Sequence, residues 1–237
     1  MGIESEIRTD VGLRRKLNED SVVGFPERGL WVVADGMGGH EAGEVASALI
    51  VESMGRLPPI DDPEKLVAEA IAALLDVNAE LIEMGRDGPE TRTIGSTVVG
   101  LALGKGQYRC FWAGDSRAYR VRDGQIVQLT RDHSLVQDLI SAGMLDEADA
   151  EKHPNANVIT RAVGAAEDLR VDTVDGVVFP GDIFLLGSDG LTRVVSQVEM
   201  LATLYSKPLA QAADHLIEMV LARGAPDNVS LAIVRVV

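Results

Sequence analysis

Apolar residues in this chain come in short strand-like runs and in longer stretches at helical spacing. Residues 3–9 and 20–25 read as short strands separated by the polar, basic segment DVGLRRKLNE. Residues 30–34 are an apolar run too short for a helix, closed by Asp35-Gly36. From Glu44 to Met54 apolar positions such as Val45, Ala48 and Leu49 recur at helical spacing, and Pro58-Pro59 end the pattern. A second helix is predicted from Pro63 to about Gly85, with Leu66, Ala70, Ala73, Leu74, Val77, Leu81 and Met84 on one face and Asp62 as its N-cap. Residues 94–129 are rich in Val, Tyr, Phe and Trp, with hairpin signals at GKGQ (104–107) and RDGQ (122–125), and read as an antiparallel meander. A short helix over 134–142, capped by Asp132 or Ser134, precedes a polar stretch, 143–168, that reads as a long surface loop. Strands at 170–178 and 182–187, helices at 196–205 and 208–222 and a last strand at 229–236 complete the pattern. Strands and helices do not alternate regularly, so a parallel sheet is excluded. Two helix pairs with a large antiparallel sheet system imply helices covering a β-sandwich.

Composition narrows the class. The chain has 237 residues, 46% hydrophobic and 25% charged, without a composition break, which is read as one domain over 1–237. A formal net charge of −15 argues against a general nucleic-acid surface and against attraction to anionic lipid. Any phosphate site needs local positive charge, which bound metals could supply. The single cysteine, Cys110, sits in a strand-like run and reads as a small buried hydrophobe rather than a nucleophile. No apolar stretch is long enough to span a bilayer, the N-terminus lacks a signal-peptide core, and Glu6 stands where a myristoylation signal needs Ser or Thr. A cytoplasmic protein without membrane insertion is expected.

The candidate chemistry lies in aspartates at the ends of apolar runs. WVVADGMGGH ends on Asp35, CFWAGDSRAY contains Asp115, FLLGSDG contains Asp189, and PDNVSLAIVRV places Asp227 before the last strand. Each Asp-Gly alone is most often a turn. Together they deliver carboxylates from well-separated segments, and such a group repels itself unless cations hold it. Glycines at 36, 38 and 39 allow close backbone approach, and the Gly36 carbonyl could reach a metal. Oxygen-only donors favour magnesium, manganese or calcium over zinc. The spacing of an EF-hand loop is absent, and no Gly-Lys-Ser/Thr makes GMGG a P-loop.

Seven segments in order, TDVGLRRKLNEDS, WVVADGMGGHEAGEVAS, GSTVVG, AGDSRAYRVRDGQIVQLTRDHS, NVITRAVG, GDIFLLGSDGL and PDNVSLAIV, resemble the metal-dependent serine/threonine protein phosphatases of the protein phosphatase 2C type, in their compact bacterial form. The resemblance implies an α+β fold, a four-layer α-β-β-α sandwich of two antiparallel sheets flanked by pairs of antiparallel helices, with a mobile flap-like loop at about 140–165. It implies two Mn2+ or Mg2+ ions about 4 Å apart, with a third, weaker position. Asp35 would bridge the two ions, Gly36 would give its carbonyl to the first, and Asp189 and Asp227 would bind the second. Asp20 and Glu19 would contact that shell, Asn228 would hold it by hydrogen bonds, and Asp115 with Asp189 would form the third position. Arg15, five residues before Asp20, would bind phosphate; Arg14 and Lys16 are read as a solvated patch. The implied reaction is hydrolysis of phosphoserine or phosphothreonine on proteins by a metal-bridging hydroxide, without a phosphoenzyme. His40 is the candidate proton donor to the leaving oxygen, with a metal-bound water as the alternative. A catalytically silent phosphoprotein-binding member and a small-molecule phosphatase are the competing readings. The expected partners are phosphoproteins, the targets of a cognate serine/threonine kinase, and the expected state is a monomer.

Overall fold

The computed structural model describes residues 2–38, 42–87 and 92–237. In chain order the strands are β1 (Ile3–Asp10), β2 (Asp20–Phe25), β3 (Leu30–Met37), β4 (Gly95–Ser96), β5 (Val98–Gly104), β6 (Gln107–Ala113), β7 (Arg117–Arg122), β8 (Gln125–Gln128), β9 (Asp172–Val177), β10 (Ile183–Gly187) and β11 (Val229–Val236). The α-helices are α1 (Ala42–Gly55), α2 (Pro63–Arg86), α3 (Leu135–Ser141), α4 (Asp189–Thr192), α5 (Gln197–Ser206) and α6 (Leu209–Ala222).

Two antiparallel sheets result. One runs β1-β11-β10-β7-β8; the other runs β2-β3-β5-β6-β9, with β4 added to the end of β3. Period-two alternation sends successive side chains to opposite faces. On β3, Leu30, Val32 and Ala34 face α1 and α2, whereas Trp31 and Val33 face the other sheet. On β11, Val229, Leu231 and Ile233 pack toward α5 and α6, while Ala232, Val234 and Val236 fill the space between sheets. Three apolar layers therefore separate four layers of secondary structure, and the α+β sandwich expected from the sequence is what forms. Gly100 of β5 lies against the Phe111 ring, where an added Cβ would meet ring carbons 2.1 Å away.

Several local expectations need correction. The 94–129 meander is split: β5 and β6 belong to one sheet and β7 and β8 to the other, with residues 114–116 crossing between them. Likewise β9 and β10 are consecutive but lie in different sheets. The sequence cannot show this, because both faces of both sheets are buried over much of their length. β3 continues through Asp35 to Met37, so Asp35 lies within a strand rather than after one. α1 buries Ala42, Gly43, Ala46, Ser47, Ile50 and Met54, leaving Val45 exposed, so its inner face is rotated from the predicted one toward small residues that admit the strand beneath. On α2, Met84 is exposed while Asn78 is buried. The polar stretch after α3 is tied down at its far end: Ser134 bridges Ile159, Ser96 bridges Val163, and Ala162 and Val163 are buried. Ser134, not Asp132, caps α3, and Asp62 caps α2 by accepting from the Glu64 and Lys65 amides. Among the described residues no helix is long and apolar enough to cross a membrane.

Candidate active site

The registers bring one end of both sheets together. Asp20, first in β2, is paired directly with Asp35 in β3. Gly187, last in β10, is paired with both Arg117 at the start of β7 and Leu231 near the start of β11. The chain leaving β10 therefore places Asp189 at the first turn of α4, the residue pair ahead of β11 is Asp227-Asn228, and the crossing from β6 to β7 carries Asp115. All the sequence-predicted acidic positions among the described residues thus share one rim.

The two sheets are stitched beneath this rim by hydroxyls. The Ser188 hydroxyl donates to Asp20 Oδ2 at 2.8 Å and accepts from the Ser230 amide at 3.0 Å. Thr97 Oγ1 accepts from the Asp35 amide at 3.2 Å and shares a 2.7 Å hydrogen bond with the Ser116 hydroxyl. Thr97 lies between β4 and β5 under the site; the parts played by Ser116, Ser188 and Ser230 are not visible in the sequence. Their only signal is that Ser116 and Ser188 each adjoin a rim aspartate and Ser230 lies two positions after Asn228.

Asn228 pins the N-terminal loop. Its Oδ1 accepts from the Glu19 amide at 2.9 Å, and its Nδ2 donates to the carbonyls of Val11 and Leu17 at 2.8 and 3.0 Å. That loop presents Arg15, whose Nη2 donates to Asp227 Oδ2 at 2.8 Å while Nη1 stands 3.9 Å from Glu19. Arg15 is half exposed, and Arg14 and Lys16 are exposed. Gly36 must be glycine: an added Cβ would lie 2.0 Å from the Gly43 carbonyl oxygen and 2.6 Å from that of Glu19. The Glu19 carboxylate in turn approaches Gly43 so closely that a Cβ there would meet it at 2.5 Å. His40 lies outside the described residues.

The electrostatics record the crowding. Burial first, then the charges of Asp189 and Asp227, push the Asp20 carboxyl up to about 7, against the hydrogen bonds from Ser188 and Ser230. Burial and the charges of Asp20, Asp189, Asp115 and Asp227 hold Asp35 well above the ordinary carboxylate range. Asp189 is pushed up to about 6 by burial and by Asp115, with Arg193 opposing. Burial also raises Asp115. Such shifts gather at functional sites because the charged forms want a partner. Asp115 has one buried oxygen, Oδ1, without any hydrogen-bond partner.

Among the described residues no three His, Cys, Asp or Glu side chains are already drawn together as a finished ligand shell. Asp227 is turned to Arg15 and Asp115 to Arg193. The donor set nevertheless fits hard divalent cations in its chemistry. It is all oxygen, desolvated and mutually repelling, and a divalent cation is the partner such carboxylates favour.

His133 and Cys110 have structural surroundings. His133 Nδ1 accepts from the Gly114 amide at 3.1 Å and Nε2 lies 3.2 Å from Asp172, which is also held by Arg161 at 2.6 Å. Accepting through Nδ1 fixes the neutral tautomer with the proton on Nε2, and burial lowers the ring's pKa. Cys110 is fully buried in the inter-sheet layer, and burial raises its thiol pKa. Trp31, Phe111 and Trp112 are core residues.

Residues 14–232 match the family model described as protein phosphatase 2C. The protein phosphatase PhpP of Streptococcus pneumoniae is 35% identical over 240 residues, covering 98% of this chain and 97% of its own. The serine/threonine protein phosphatase PstP of Mycobacterium tuberculosis is 36% identical over 230 residues, and this chain spans 44% of its length. The catalytic domain of PstP, solved in complex with two manganese ions, superposes with a TM-score of 0.88 at 33% identity, covering 99% of this chain and 98% of that one. PppA, a key regulatory component of T6SS in Pseudomonas aeruginosa, superposes with a TM-score of 0.89 at 40% identity over 98% of this chain and 97% of its own. With the fold, the rim and these likenesses in agreement over nearly its whole length, the chain belongs to the protein phosphatase 2C family of serine/threonine protein phosphatases.

Proposed function

We propose that the rim is the catalytic centre at which this chain hydrolyses phosphoserine and phosphothreonine on proteins, with Asp20, Asp35, Gly36, Asp189 and Asp227 holding two manganese or magnesium ions. The observation that supports it most is the direct pairing of Asp20 with Asp35 at the rim that also carries Asp189 and Asp227, with burial and mutual repulsion raising Asp20, Asp35 and Asp189. When bound, the ions supply Lewis acidity and charge neutralisation for phosphoryl transfer. Asp35 would be the central ligand, flanked by Asp20 of β2 and by Asp189 at the start of α4. Asn228 and Glu19 keep the N-terminal loop in place, and Arg15 turns its fork from Asp227 to the equatorial oxygens of the phosphoryl group. A guanidinium suits that task because its planar donors match two oxygens at once. His40 remains the sequence's candidate for protonating the departing oxygen.

The same reading makes residues 1–237 one catalytic unit, since both sheets contribute ligands, and assigns the 140–165 stretch beside Asp115 to a flap. A monomer acting in the cytoplasm on the targets of a cognate kinase completes the proposal. Phosphate release from a phosphothreonine peptide should require manganese or magnesium and stop on full chelation. Asp189→Ala should be inactive while folded, and Arg15→Ala should mainly raise KM. Activity that persists without metal would overturn the reading.

A further inference from the structure

The outer side of the rim holds a cation of the chain's own. Arg193 follows α4, and its amide bonds back to the Asp189 carbonyl at 2.9 Å. That single turn lays the guanidinium over Asp189, with Nε 3.1 Å from Oδ2, while Nη2 donates to Asp115 Oδ2 at 2.7 Å. One planar fork thus spans the two carboxylates that the family resemblance assigns to a third, weaker metal position. A second guanidinium lies close by: Arg117 is gripped by Asp132 through Nε at 3.0 Å and Nη2 at 2.7 Å. Asp115, Arg117, Asp132 and Arg193 all line one cavity of about 330 Å³.

We propose that the Arg193 guanidinium is the resident cation between Asp115 and Asp189, and that it excludes a third divalent ion from this chain. The inference rests on the two-ion reading above. An ion at that position needs an oxygen from each carboxylate, and Arg193 holds one oxygen of each. The divalent ion would have to break both contacts and then sit beside two fixed positive charges. A guanidinium stays charged throughout the working pH range, so acid or base does not relieve the exclusion. The unpartnered Asp115 Oδ1 marks what is left for a metal once Arg193 is removed.

Equilibrium dialysis against free manganese, with metal counted per folded chain, tests this without turnover. The wild-type chain should take up two ions, and Arg193→Ala should take up a third. Adding Asp115→Asn to that variant should remove the third again. Arg193→Gln, which keeps most of the stem, serves if the alanine variant does not fold by circular dichroism. A third ion on the wild-type chain, or the same count of two on both Arg193 variants, would overturn the proposal. Fewer than two ions on the wild type would overturn the two-ion reading itself, and the proposal with it.

Discussion

Asp20 is a carboxylate that the sheet has taken out of water, and the Ser188 hydroxyl, 168 positions away in the chain, donates to it at 2.8 Å. Ser188 is fully buried and also takes the Ser230 amide, so a single oxygen joins the two sheets under the site. Ser188→Ala removes a partner from a buried amide and a donor from a buried carboxylate. An unsatisfied buried group costs about 1–3 kcal/mol, and a loss of that size is expected in urea unfolding. Weaker manganese binding should accompany it, because Asp20 is then free to turn away from Asp35. Ser188→Thr, which retains the hydroxyl, should recover most of the manganese affinity if the donor, rather than the small volume, is what counts.

At the scale of elements, the crossing from β6 to β7 is held by His133, whose ring accepts from Gly114 and stacks on Trp112 with centroids 6.0 Å apart. Because burial depresses its folded pKa below the ordinary 6.5, the unfolded chain binds the proton first. The contribution of neutral His133 is therefore complete above about pH 6.5 and is lost as pH falls from there toward the folded value. The rim aspartates, whose folded values are raised, act with the opposite sign. The difference in unfolding free energy between wild type and His133→Gln cancels them, and it should shrink between pH 7 and pH 5. A difference that stays constant over that range would show that the ring is not held neutral. The same region shows where sequence patterning stops. Strand and helix spans came through because period and turn chemistry are local, and the aspartates stood out because each borders an apolar run. The crossing between sheets did not, since Phe111 and Trp112 are both buried and nothing in their order says which sheet each faces. Arg193 was legible in principle, as an Asp189-Arg193 pair one helical turn apart; its reach to Asp115 was not, because the two lie 78 positions apart.

For the whole molecule, a charge of −15 surrounds a centre meant to receive a dianionic group. Long-range repulsion slows the approach of an acidic phosphopeptide and is screened by salt. Raising the ionic strength from about 0.01 M to 0.15 M shortens the screening length from about 30 Å to 8 Å. KM for an acidic phosphopeptide should fall over that range at fixed manganese, while a basic phosphopeptide should show the reverse trend. Equal salt responses for the two peptides would place recognition wholly in the short-range contacts of Arg15 and the rim. The layered build has one more outcome, at the edge away from the chemistry. β1 runs antiparallel beside β11 along its full length, and Gly2 and Val237 exchange two backbone hydrogen bonds of 2.9 Å each. The beginning and the end of this chain are therefore neighbours in one sheet. A circular permutant that links them by a short glycine-serine bridge and opens the chain at the Lys105-Gly106 turn, where Gly106 has open space around it, should unfold cooperatively and keep its manganese uptake. New ends would then lie on the second sheet, and a fused reporter could be carried there without touching the rim.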